Sequence, residues 1–237
     1  MPWQPTFLCT APGVEAGSGV HSSTSWSGPD TRSTPTLTGL GRDAPHLRPN
    51  IALEEHIDVV ADCVSAAGDE VILVGHSYGT IPACGAAATS GAGPSVRRLV
   101  FLDGFIPTPG RSVFDDRPDV EGILEGLAAS HDGLYAEPAP PAAYGIDDDE
   151  VANWLQESST LMPMSVLRQP FPTDLKAVDE LGGVNINYIR FTGTDLFMSA
   201  KEVAIGKGWR FSEIEGNHFA FVTRPVEVAA EISFDVR

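Results

Sequence analysis

Apolar residues along this chain recur in two rhythms. Residues 71–74 (Val-Ile-Leu-Val) form an unbroken, mostly β-branched run, as expected of a strand buried on both faces. Residues 98–102, 186–191 and 209–214 show comparable strand patterns, and the short run 6–10 predicts a first strand ending at Pro12-Gly13. Between them the period lengthens. Leu53, Ile57, Val60, Val64 and Ala67 fall on one helical stripe, with Asn50 as the expected N-cap and Gly68 as the stop. Residues 78–90 are mostly small, which suits a helix pressed against a sheet. Pro225 opens a last helix carrying Val226, Val228, Ala229 and Ile232.

Strand and helix alternate, so the predicted class is α/β with a mostly parallel sheet flanked by helices. Residues 105–180 break the alternation. They are proline-rich, with helical pieces and no strand pattern, and read as a small helical cap inserted into one domain. The core is then 1–104 and 181–237. Residues 15–34 are rich in Gly, Ser and Thr and predict no helix.

Composition narrows the partners. The 237 residues carry a formal charge of −17, which disfavours nucleic acid and anionic membranes. No stretch is long and apolar enough to read as a membrane helix, and Met1-Pro2-Trp3 does not read as a signal peptide. Cys9, Cys63 and Cys84 are an odd number without paired spacing, so free thiols in the cytoplasm are expected. The acids at 147–150 lack the alternate spacing of a hard-cation loop and read as a solvated loop or helix start. No Cys/His/Asp cluster has metal spacing, and neither a metal nor a cofactor is expected.

The chemistry concentrates at Gly75-His76-Ser77-Tyr78-Gly79, between the buried run 71–74 and the small-residue helix. A serine on a sharp strand-to-helix turn needs small neighbours, because the backbone there is strained. Such a turn lifts the hydroxyl over the sheet edge and aims the next amide, that of Tyr78, at a developing oxyanion. A serine of ordinary pKa needs a base. Of six histidines, His218 follows the last predicted strand, while His76 sits inside the turn and His56 on the first helix. Two acids stand at strand ends to orient His218. Chain order favours Asp195 in Thr192-Gly193-Thr194-Asp195, with Asp103 as the alternative. A second oxyanion amide is expected from Val14, with Gly13 allowing close approach to substrate. Trp154 and Leu161 of the cap are candidates to line an apolar pocket.

These motifs resemble the α/β-hydrolase superfamily, and more closely its small methyl-esterase and hydroxynitrile-lyase branch with its bacterial relatives. The likeness rests on residues 34–41, on His56-Ile57-Asp58, on 74–79 and on Leu102-Asp103-Gly104-Phe105-Ile106-Pro107. It implies a doubly wound sheet, a helical cap, no cofactor and a triad on Ser77, Asp195 and His218, with oxyanion amides at Tyr78 and Val14. The lyase members place a lysine after the catalytic histidine, where this chain has Phe219. The implied activity is hydrolysis of a small or medium-sized carboxylic ester through an acyl-enzyme. A cyclase, lactonase or thioesterase on the same turn, or a non-enzymatic receptor-type binder, are the alternatives.

Overall fold

The computed structural model describes residues 6–10 and 32–234, with side chains from residue 34 onward. Six strands form one sheet: β1 (Thr6–Thr10), β2 (Arg32–Ser33), β3 (Val71–His76), β4 (Val96–Leu102), β7 (Asn185–Phe191) and β8 (Arg210–Ile214). Their order is β2-β1-β3-β4-β7-β8, and every pairing is parallel. The run at 71–74 is the inner strand its composition implied, since all six residues of β3 are buried.

Side chains of β3 and β4 alternate between two cores, as the period of a strand requires. Ile72, Val74, Val100 and Leu102 join Val228 and Ile232 on one face. Leu73, Leu99 and Phe101 join the other, larger core. On that second face Trp209, Phe101, Tyr188 and Phe211 stack in a row, with centroids 5.4, 5.8 and 6.1 Å apart.

Helix α1 (Leu53–Ala67) and helix α2 (Thr80–Ala88) cover that larger core. The stripe Leu53, Ile57, Val60 and Val64 is buried as its spacing implied, each side chain stabilising by about 1.5–3 kcal/mol. The helix starts three residues after Asn50. Glu55 reaches back to accept the Ala52 amide at 3.0 Å and pairs with Arg48, so the first turn is closed without Asn50. Helix α2 is made of small residues because α1 lies on it. A Cβ on Gly85 would meet Ile57 Cδ1 at 2.5 Å.

Between β4 and β7 the chain forms α3 (Val113–Asp116), α4 (Pro118–Leu127), α5 (Asp149–Ser158) and α6 (Ser165–Arg168). This stretch also holds a pairing that the sequence did not suggest. Strands β5 (Tyr135–Ala136) and β6 (Met162–Pro163) form a two-residue antiparallel ladder. The acidic run begins α5: Asp148 accepts the Val151 amide at 3.0 Å as its N-cap. Helices α7 (Ser199–Gly206), α8 (Ala220–Thr223) and α9 (Pro225–Ile232) complete the fold. Among the described residues no helix is long and apolar enough to cross a membrane.

Candidate active site

The site lies at the carboxyl ends of β3 and β4, where a parallel α/β sheet presents its loops. Ser77 follows β3 directly and has φ +51°, a left-handed conformation that costs a non-glycine residue strain. The turn survives because nothing crowds it. A Cβ on Gly75 would meet Thr80 Cα at 2.5 Å, and one on Gly104 would meet the Ser77 carbonyl oxygen at 2.6 Å. The Thr80 hydroxyl lies 2.7 Å from both the Ser77 and the Phe105 carbonyls and shares its one proton between them, which ties the start of α2 to the loop after β4. Tyr78 follows within a short 3-10 turn that leads into α2, so its amide lies in the first turn after the serine.

The Tyr78 phenol is anchored behind the site. His56 gives its Nε2–H to the Thr38 carbonyl at 2.9 Å, so its Nδ1 accepts the Tyr78 hydroxyl at 2.8 Å. Burial holds His56 below the usual histidine range and raises the Tyr78 phenol well above its own. His56 is thus a structural histidine.

His218 meets Asp103. Its Nδ1 lies 2.7 Å from Asp103 Oδ2, and both side chains are almost fully buried. The second carboxylate oxygen accepts the Phe191 amide at 3.1 Å. Asp103 immediately follows β4 with φ +44°, and its own amide donates to the Ile189 carbonyl at 2.8 Å. The carboxylate is therefore held from β7 and from the loop that carries His218.

The expected acid, Asp195, is not there. Its side chain is 89% exposed, and its nearest ionic partner is Arg190 at 3.9 Å. The cause is the path of the chain after β7. Thr192 and Gly193 give their amides to the carbonyls of Ile214 and Gly216, so this turn pairs with the end of β8. Asp195 then leaves toward solvent. Asp103, the alternative, occupies the position beside the histidine.

His218 is fixed by more than its acid. Its amide donates to the Tyr144 carbonyl at 3.0 Å, and its carbonyl accepts Nε2–H of His76 at 2.9 Å. Its ring is stacked on Tyr144 and on Phe197, with centroids 5.5 and 5.7 Å away. His76 lies on the side away from any proton-taking role. Its Nδ1 is buried without a partner, and burial, then the neighbouring His218, holds it well below the usual histidine range.

Ser77 and His218 open into one cavity of about 230 Å³. Its walls are mainly apolar, with Leu124, Leu127, Leu155, Phe105 and Phe197 among them. Trp154, expected in this wall, is not part of it. Its side chain is turned into a small core with Ile146 and Val151 and meets Phe219 edge-on at 6.2 Å. The adjacent Leu155 faces the cavity instead, and Leu161 does not line it. Val14 and Gly13 lie outside the described residues. Tyr144, Phe105 and Phe197 were missed from sequence. No periodicity marks Tyr144, and only the stretch 102–107 hinted at Phe105.

Comparison with known proteins agrees with this architecture. A family model described as the alpha/beta hydrolase family matches residues 12–231. A carbendazim-hydrolyzing esterase of Nocardioides sp. (strain SG-4G) is 30% identical over 217 residues, covering 84% of this chain and 86% of that protein. An alpha/beta-hydrolase from a Paenibacillus species has the same fold with a TM-score of 0.76 at 22% identity, covering 96% of this chain and 97% of that one. That enzyme is described as extracellular and as sharing structural and functional homology with tobacco salicylic acid binding protein 2. A methylesterase from Arabidopsis has a TM-score of 0.67 at 16% identity, over 96% of this chain and 97% of that one. On the near-complete family match, the strained turn at Ser77 and the all-parallel sheet, this chain belongs to the alpha/beta hydrolase family.

Proposed function

We propose that the protein is a serine hydrolase of carboxylic esters, with Ser77 as nucleophile, His218 as base and Asp103 as the orienting acid. The observation that carries this reading is the buried Asp103–His218 contact of 2.7 Å in a site whose cavity also holds a backbone-strained Ser77. His218 donates Nδ1–H to the carboxylate, which leaves Nε2 as the proton acceptor. Nε2 takes the Ser77 proton as the oxygen attacks the acyl carbon. The Tyr78 amide, with Val14 as the second donor, holds the oxyanion. The alcohol leaves with the proton from His218. Water, deprotonated by the same Nε2, then releases the acid and restores Ser77.

The esterase name of the Nocardioides relative supports the ester as substrate class. The apolar walls of the cavity support a small or medium-sized apolar group beside the reacting carbon. Unpaired Cys63 and Cys84 support a reducing, cytoplasmic location.

Activity against p-nitrophenyl butanoate, together with labelling by a fluorophosphonate, tests the assignment. The wild type should hydrolyse and label, and Ser77→Ala should do neither. Equal labelling and turnover by both proteins would overturn it.

A further inference from the structure

One wall of the cavity over Ser77 is thin. Phe105 and Phe197 meet edge to face there, with ring centroids 5.0 Å apart. Behind the pair lies a second cavity of about 330 Å³, and Phe105, Phe197 and Arg117 line both spaces. Its inner wall is apolar, with Leu53, Ile81, Val166, Phe171 and Ala200. Arg111–Asp116 and Lys207–Asp179 ion pairs stand among its other walls, so those charges are already matched.

The volumes matter. Sites for drug-sized ligands span about 300–1,000 Å³. The space over Ser77, at about 230 Å³, falls below that range, whereas the two spaces joined fall inside it. The second space holds neither Ser77 nor His218, so it serves the reaction only as a continuation of the first.

The two rings of the partition are not held alike. Arg117 donates to the Leu196 carbonyl at 2.7 Å and lies over the Phe197 ring at 5.8 Å, and Phe197 also stacks on His218. Phe105 is half-buried. Its backbone is tied at both polar groups, the amide to the Ser77 carbonyl at 3.4 Å and the carbonyl to the Thr80 hydroxyl at 2.7 Å, and its side chain packs on the larger core with more exposure than the buried Phe197. Phe105 is therefore the less confined ring of the pair.

We propose that the second cavity is a distal subsite of the same cleft, taking the apolar far end of an elongated acyl chain once the Phe105 ring turns away. The proposal rests on the serine-hydrolase reading for its chemistry. Two variants move the readout in opposite directions. Phe105→Ala removes the partition, and Ala200→Trp fills the distal space. The readout is the ratio of kcat/KM for p-nitrophenyl dodecanoate to that for the butanoate. The ratio should rise about tenfold in Phe105→Ala and fall about tenfold in Ala200→Trp, the scale set by a few buried methylenes. Calorimetric titration of dodecanol and butanol into the same variants carrying Ser77→Ala reads the subsite without turnover. Dodecanol should bind about tenfold more weakly when Ala200 is Trp, and butanol equally well. Unchanged ratios and unchanged dodecanol affinity would overturn the subsite and leave the hydrolase reading intact. Turnover by Ser77→Ala would sink the hydrolase reading, while the titration would still report on the cavity.

Discussion

Replacing Asp103 by Asn keeps the shape of the site and changes two things that can be worked through. The carboxylate accepts from two donors, the Phe191 amide at 3.1 Å and His218 Nδ1 at 2.7 Å. An amide has one acceptor. If the new NH2 faces Phe191, two donors confront each other in a buried space, at a cost of about 1–3 kcal/mol. If it faces His218, it donates to Nδ1, and the ring must carry its proton on Nε2. That tautomer cannot accept the serine proton. The negative charge opposite the imidazolium formed during acylation is also gone. At a separation near 3–4 Å and an effective dielectric of about 20, that charge is worth roughly 4–5.5 kcal/mol. Together these predict a loss of about 10⁴-fold in kcat. Asp195→Asn disturbs only an exposed carboxylate 3.9 Å from Arg190, a contact worth about 0–1 kcal/mol, and should leave kcat within a few-fold. The assay is ester hydrolysis on both variants, with thermal unfolding to show that each is folded. A folded Asp103→Asn with near-normal turnover, or a 10⁴-fold loss in Asp195→Asn, would refute the assignment.

Three further outcomes follow from the packing. His56 and His76 are both held neutral by burial, below the usual value near 6.5 that they regain on unfolding. Below that pH the unfolded chain binds more protons than the folded one, so stability falls as pH drops from about 6.5, by up to about 1.4 kcal/mol per pH unit for each histidine. Urea midpoints at pH 7.5 and 5.5 measure this, and His56→Gln should remove one histidine's share of the slope; an unaltered slope would count against it. Gly75→Ala places a Cβ 2.5 Å from Thr80 Cα, a backbone atom that cannot yield, and should destabilise by about 1–3 kcal/mol and lower Tm by roughly 2–12 °C. Gly122→Ala, in α4 with nothing within 4 Å, should leave Tm unchanged or raise it, which scanning calorimetry would show directly.

What could be read from sequence was local. The strand runs, the stripe on α1 and the turn at Ser77 each declare themselves within a few residues, because pleat, helix period and turn sterics act at that range. The acid did not. Asp103 and Asp195 both follow strands, and nothing near either one distinguishes them. The difference is lateral: β4 lies two strands in from β8, and the amides of Thr192 and Gly193 tie the turn after β7 to the β8 end. Trp154 misled for a related reason. Its helix period signals burial, but not that the ring faces Phe219 while Leu155 faces the cavity. The β5–β6 ladder is two residues a side, too short for any alternation to register.

The segment between β4 and β7 also does more than roof the cavity. The His218 amide is buried, and its acceptor is the Tyr144 carbonyl from that segment. Without Tyr144 in place the amide would lack that partner, at a cost of about 1–3 kcal/mol, and the imidazole would lose one of its two stacked ring neighbours. The other ring neighbour, Phe197, is steadied by Arg117, the residue before α4 in the same segment, which holds the Leu196 carbonyl. The sheet ends supply Asp103 and the strained serine; the orientation of the histidine beside Asp103 is completed from the inserted segment. Packing of that segment therefore helps to hold the proposed base, and a variant that loosens the segment around Tyr144 should act on the chemistry as well as on the shape of the pocket.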